Sequence, residues 1–151
     1  TDDHFILLGS PRSNPWGELF EDHLDFEFTR DPALNREIIR NKRVQPGEQA
    51  TYVPTARGWD TGHAFAIVAL VRNPGQTGQV LLLAGTNAEG TEAAGRFVTN
   101  AAQLVRTLQS RDIDPGGPPC YFQVLLQVRT MAGSPGTIEV VACHRLRAPT
   151  P

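Results

Sequence analysis

The sequence predicts an α/β domain with a mixed central sheet, layered in a Rossmann-like manner and closed by a C-terminal β-hairpin. Three observations predict it. The run Ala64–Arg72, AFAIVALVR, is almost wholly apolar, as a strand buried on both faces of a sheet would be. Two passages, FILLGSPRSNPWGELFE at Phe5–Glu21 and VLLLAGTNAEGTEAAG at Val80–Gly95, lead from an apolar strand through a glycine-containing loop into a helix. Two alternating runs, Tyr121–Thr130 and Thr137–Leu146, are joined by AGSPG.

In chain order, Phe5–Leu8 reads as the first strand and Gly9-Ser10-Pro11 as a tight loop. Asn14 is placed to cap a short helix with Pro15 in its first turn and Leu19, Phe20 and Leu24 on one face. Asp25–Thr29, DFEFT, alternates as a strand does. Asp31-Pro32 opens a helical turn towards Ile39, and Arg30–Gln49 as a whole reads as mostly irregular because of its polar and turn-forming residues. Thr51–Pro54 is a short strand and Thr55–His63 a loop. Asn73-Pro74-Gly75 separates the central strand from Val80–Ala84, its expected antiparallel neighbour. From Thr91 the positions Ala94, Phe97, Val98, Ala101, Leu104, Val105 and Leu108 recur at three and four, which predicts one helix with a single buried stripe. Asp112–Pro119 ends it.

With 151 residues, 40% of them hydrophobic, the chain can bury one core without staples. Residues 1–147 read as one domain and 148–151 as a tail, the whole cut from a longer protein. A formal charge of −2 supplies no basic stripe, so direct nucleic-acid contact is not expected. No apolar window is long enough for a bilayer span and no signal peptide precedes the first strand, so a membrane partner is not expected. Cys120 and Cys143 fall on opposite arms of the closing hairpin, with Cys143 near Leu125 and Cys120 near Ala148. That register separates the sulfurs beyond disulfide reach, and free thiols suit a reducing, cytoplasmic compartment. No CxxC or paired Cys and His spacing calls for a metal.

The candidate site follows from the two glycine loops. If their strands are parallel, Ser10, Arg12, Ser13, Asn14, Thr86 and Asn87 line one crevice at the strands' carboxyl ends, where hydroxyls, amides and a guanidinium meet a helix N-terminus. Glu89 and Glu92, in the first turn of the second helix, oppose an anion there. Trp16 and Trp59 read as cover for the core, and His4, His23, His63 and His144 as scattered surface or capping residues. GxGxxG, GxxxxGK[ST], GxSxG and HExxH are all absent, and no catalytic set can be assigned.

The run ILLGSPRSN resembles the first loop of flavodoxin-like FMN reductases, which implies a flavodoxin-like fold with the loop holding a flavin phosphate. GSPRSNPW and GTNAEGTEAAG, with YFQVLL after them, resemble an uncharacterised α/β domain of bacterial, acidobacterial-type proteins that carry a helix-turn-helix region before it. That resemblance implies a sensory or regulatory module. The expectation is therefore a non-enzymatic domain binding a small polar ligand or another protein domain at this crevice, with homodimerisation possible. An FMN-dependent oxidoreductase is the alternative.

Overall fold

The computed structural model describes residues 3–57, 60–73 and 77–147. Among them run eight strands, a 3-10 helix and two α-helices: β1 (Phe5–Leu8), the 3-10 helix (Pro15–His23), β2 (Phe26–Asp31), β3 (Arg36–Asn41), β4 (Thr51–Tyr52), β5 (Gly62–Arg72), β6 (Gln79–Gly85), α1 (Ala88–Thr99), α2 (Ala101–Gln109), β7 (Phe122–Met131) and β8 (Ser134–Arg145). Five strands form a sheet in the order β1-β6-β5-β7-β8, and β2, β3 and β4 form a second, antiparallel sheet.

This overturns the Rossmann-like or flavodoxin-like expectation. The large sheet is mixed and does close on a hairpin, but β1 and β6 are its one parallel pair among the described residues; β5, β7 and β8 are antiparallel to their neighbours. A doubly wound fold needs parallel strands with helices on both faces. Here α1 and α2 cover one face only, and the other carries the small β-sheet. The protein is mostly β.

The large sheet separates two cores. On one side Phe26, Ile39 and Tyr52 of the small sheet pack with Phe20 and Leu24 against Phe65, Ile67, Val80, Leu82 and Leu125. On the other, Ala93, Ala94 and Phe97 of α1 and Leu108 of α2 pack against Ala66, Val68, Leu83, Val124 and Leu126. β5 supplies alternate residues to both cores, so its run has to be continuously apolar.

Several local readings are corrected. The segment read as irregular, Arg30–Gln49, contains the β2–β3 hairpin and its strand Arg36–Asn41. Asp31 does not start a helix: its Oδ1 accepts the N–H groups of Ala33 and Leu34, and Asn35 takes a positive φ of 50° that turns the chain into β3. The long helix is two, because Asn100 interrupts it: its backbone N–H closes α1 on Arg96 and Phe97, and its side chain caps α2 by accepting from the Gln103 N–H. The closing turn is tighter than AGSPG suggests, with Ala132 and Gly133 both at positive φ. That register sets Cys143 opposite Val124, and both cysteines are free thiols. Trp16 is 68% exposed and covers no core. Trp59 and the tail 148–151 lie outside the described residues, as do Pro74 and Gly75 of the expected break. No helix among the described residues is long and apolar enough to cross a membrane.

Gly85 ends β6 where α1 comes closest. A Cβ there would press on backbone atoms of Asn87, Gly90 and Thr91, none of which can swing aside as a side chain can. Gly85→Ala should therefore destabilise the fold by about 1–3 kcal/mol by pushing the first turn of α1 off the sheet, as read in a urea titration.

Candidate functional site

Because β1 and β6 are parallel, in register from Phe5 opposite Val80 to Leu8 opposite Leu83, their following loops emerge side by side. Gly9 makes the first possible: its N–H continues the ladder to the Leu83 carbonyl, and its φ of 95° then turns the chain away. The second loop is fixed by three bonds. Thr86 donates its N–H to the Phe65 carbonyl, its hydroxyl accepts the Phe65 N–H, and the Thr91 hydroxyl accepts the Gly85 N–H. α1 starts directly afterwards, capped by Asn87 Oδ1, which accepts from the Gly90 N–H at 2.8 Å.

The small sheet completes the site. The tip of the β2–β3 hairpin brings Leu34, Asn35, Arg36 and Glu37 over the two loops, and Pro54, Ala56 and Arg57 follow from β4. Together with Leu8, Gly9, Ser10, Arg12, Ser13, Thr86, Asn87, Ala88 and Thr91 they enclose an open cleft of about 980 Å³. That volume suits a small organic ligand.

Five of the six residues singled out from the sequence, Ser10, Arg12, Ser13, Thr86 and Asn87, line this cleft. Asn14 does not. Its Oδ1 accepts the Trp16 N–H, capping the 3-10 helix, and its Nδ2 donates to the Leu8 carbonyl on the outer edge of β1. Several of the five are also engaged in holding the loops. The Ser13 hydroxyl and the N–H groups of Ser13 and Asn14 all donate to the Ser10 carbonyl, so these two amides are engaged within the loop, and Pro11 has no N–H to offer. Glu89 and Glu92 do not line the cleft, and Glu92 is paired with Arg96 at 2.6 Å.

Arg36, Glu37 and Arg57 were not legible as site residues, since the segments holding them read as loop. Glu37 is half-buried beside the hairpin tip, opposite Arg30. Burial pushes its carboxyl above the ordinary value of 4.5, against the opposing pull of a hydrogen bond donated by the Ser10 hydroxyl and of the nearby Arg12 guanidinium. A carboxyl whose native pKa is raised holds its proton more tightly folded than unfolded, so its contribution to stability falls as pH rises above about 4.5. Glu37→Gln keeps the acceptor for Ser10 and removes the buried charge. At pH above that range its Tm should exceed that of the parent by a few degrees at most, with the difference vanishing in acid.

A second polar cluster stands apart from the cleft and corrects the reading of His144 as a surface residue. The imidazole is fully buried, with Nδ1 2.7 Å from Asp25 Oδ2 and Nε2 2.8 Å from Glu48 Oε1. Burial alone would lower its pKa, but bonds to two carboxylates outweigh burial and raise it. The proton is held on a ring bracketed by two acids. Asp25, whose burial acts upwards, is brought below its ordinary 3.8 by His144 and by Arg43, 2.7 Å away. Beside His144 on the same face of the large sheet, Gln123 extends an equally buried amide. Its Oε1 accepts the N–H groups of Asp25 and Phe26, and its Nε2 donates to the Phe26 carbonyl, all at 2.9 Å. The amide substitutes for a neighbouring strand. Gln123 and His144 therefore lash the small sheet, and with it one wall of the cleft, to the large one.

Among the described residues no group of three or more His, Cys, Asp and Glu is placed to hold a metal ion. Burial lifts the Cys143 thiol to about 11, which leaves it protonated and unreactive. No family model, curated protein or solved structure matches the chain.

Proposed function

We propose that this chain is a non-enzymatic ligand-binding module whose cleft, between the loops after β1 and β6 and the β2–β3 hairpin, takes a small polar molecule and reports its presence as part of a sensory or regulatory protein. The observation that supports the reading is the assembly of the cleft itself. Four separate parts of the chain converge on it: two loops at the carboxyl ends of parallel strands, the tip of a hairpin from another sheet, and the segment after β4. A ligand touching all four would couple the two sheets, which is what a sensor needs.

The lining favours binding over catalysis. Ser10 is buried and only 6% exposed, and among the described residues no imidazole lines the cleft to relay its proton. The flavodoxin-like alternative loses its fold, and in the loop that would hold the flavin phosphate the Ser13 and Asn14 amides bond to the Ser10 carbonyl. The two free thiols fit the cytoplasmic compartment included in the reading.

Native mass spectrometry of the freshly purified chain, recorded beside its absorption spectrum, tests this. The expected result is a retained colourless mass that disappears in Ala88→Trp, which puts a large ring at the exposed first position of α1 and obstructs the cleft. A retained mass indifferent to Ala88→Trp would refute the site, and flavin bands would replace the reading with the oxidoreductase.

A further inference from the structure

We propose that the ligand of this cleft carries an anionic group, a phosphate or a carboxylate, bound between the guanidinium groups of Arg12 and Arg57. The inference rests on the cleft being a ligand site and adds the chemistry of the ligand.

Charge distribution carries it. The chain as a whole is acidic, at −2, yet three arginines line this one cleft against a single carboxyl, Glu37. The three are not equivalent. Arg36 donates to the Pro54 carbonyl and serves to fix the wall. Arg12 feels Glu37, whose carboxylate is already engaged by Ser10. Arg57 reaches the cleft with no partner for its guanidinium among the described residues. Arg40, Arg43 and Arg96 by contrast are each held by a carboxylate, those of Glu27, Asp25 and Glu92. Two cations brought to one concavity with one carboxyl between them, and that one beside Arg12, raise the local potential, which a concave site focuses. A phosphate or carboxylate satisfies both guanidiniums through paired N–H···O bonds, which an uncharged polar group cannot match.

The objection that two glutamates at the start of α1 would repel an anion is removed by their placement. Neither lines the cleft, and Glu92 is neutralised by Arg96. The Ser13 and Asn14 amides are engaged within the loop after β1, so the guanidiniums supply the main contacts to the anion and removing both should abolish binding.

The test is calorimetric titration of the chain with inorganic phosphate, glycerol 3-phosphate and succinate, with glycerol as the uncharged control. The expected result is saturable binding of at least one anion and none of glycerol. Arg12→Ala and Arg57→Ala should each weaken that binding by about 10-fold or more, the scale of a lost charge-assisted hydrogen bond. Arg106→Ala, on the exposed side of α2, should leave it unchanged. Tighter binding of glycerol 3-phosphate than succinate assigns a phosphate, and the reverse a carboxylate. Affinity unchanged in both arginine variants, or failure of all three anions to bind, overturns the proposal. The underlying reading fails separately. A neutral compound retained by the chain and lost in Ala88→Trp keeps the cleft and rejects the anion, whereas anion binding indifferent to Ala88→Trp rejects the cleft.

Discussion

Replacing His144 with alanine is expected to destabilise the chain by about 3–5 kcal/mol near neutral pH, lowering Tm by on the order of 10 °C. The magnitude follows from what is left behind. Asp25 and Glu48 approach the two ring nitrogens at 2.7 and 2.8 Å; without the imidazolium, Glu48 keeps Asn41 as a donor at 2.8 Å and Asp25 keeps Arg43. Two carboxylates then share a buried space with less positive charge than before.

The pH dependence separates this cluster from ordinary packing. His144 has a native pKa above its ordinary 6.5, so its contribution is complete below 6.5 and is lost as pH rises through the raised value. Asp25 has a native pKa below its ordinary 3.8, so its contribution is complete above 3.8 and is lost as pH falls through the lowered value. The cluster is at full strength between those two ordinary values. Tm measured from about pH 3 to about pH 9 should fall on the alkaline side in the parent, and that alkaline slope should flatten in His144→Ala. An unchanged alkaline slope would mean that the ring is not held as an imidazolium.

Gln123→Leu is expected to cost a comparable amount, although leucine has nearly the same volume. Its amide meets the backbone N–H groups of Asp25 and Phe26 and the Phe26 carbonyl, and each group left buried without a partner costs about 1–3 kcal/mol. Urea titration checks the stability. Neither Gln123 nor His144 lines the cleft, yet both hold the sheet that carries Arg36 and Glu37 into it. Both variants should therefore weaken ligand affinity under conditions where each chain remains folded, through looser placement of the hairpin. Unchanged affinity in the folded variants would show that the hairpin wall is not needed for binding.

The parts of the fold legible in the sequence are those whose signal is local. AFAIVALVR reads as a strand between two cores, and Asn14-Pro15 is a cap whose geometry depends on the next few residues. The β2–β3 hairpin was illegible because its strand, REIIRN, has two adjacent buried isoleucines in place of alternation, flanked by polar ends. Missing that hairpin meant missing the second sheet, and an α/β layering followed by default. It also hid Arg36 and Glu37. His144 was illegible for another reason: Asp25 and Glu48 lie 119 and 96 residues away in sequence, and no spacing rule connects them. Of the cleft, the sequence carried the two loops and the condition that their strands be parallel, while the third wall depends on long-range packing.

The most direct test of the cleft as a ligand site is an amide NMR map of the labelled chain titrated with the small-molecule fraction of a cell lysate. The account predicts shifts confined to Ser10–Ser13, Asn35–Glu37, Arg57 and Thr86–Ala88, abolished in Ala88→Trp. Shifts centred instead on the exposed edge of β1, at Phe5 and Ile6, or the same shifts persisting in Ala88→Trp, would contradict it.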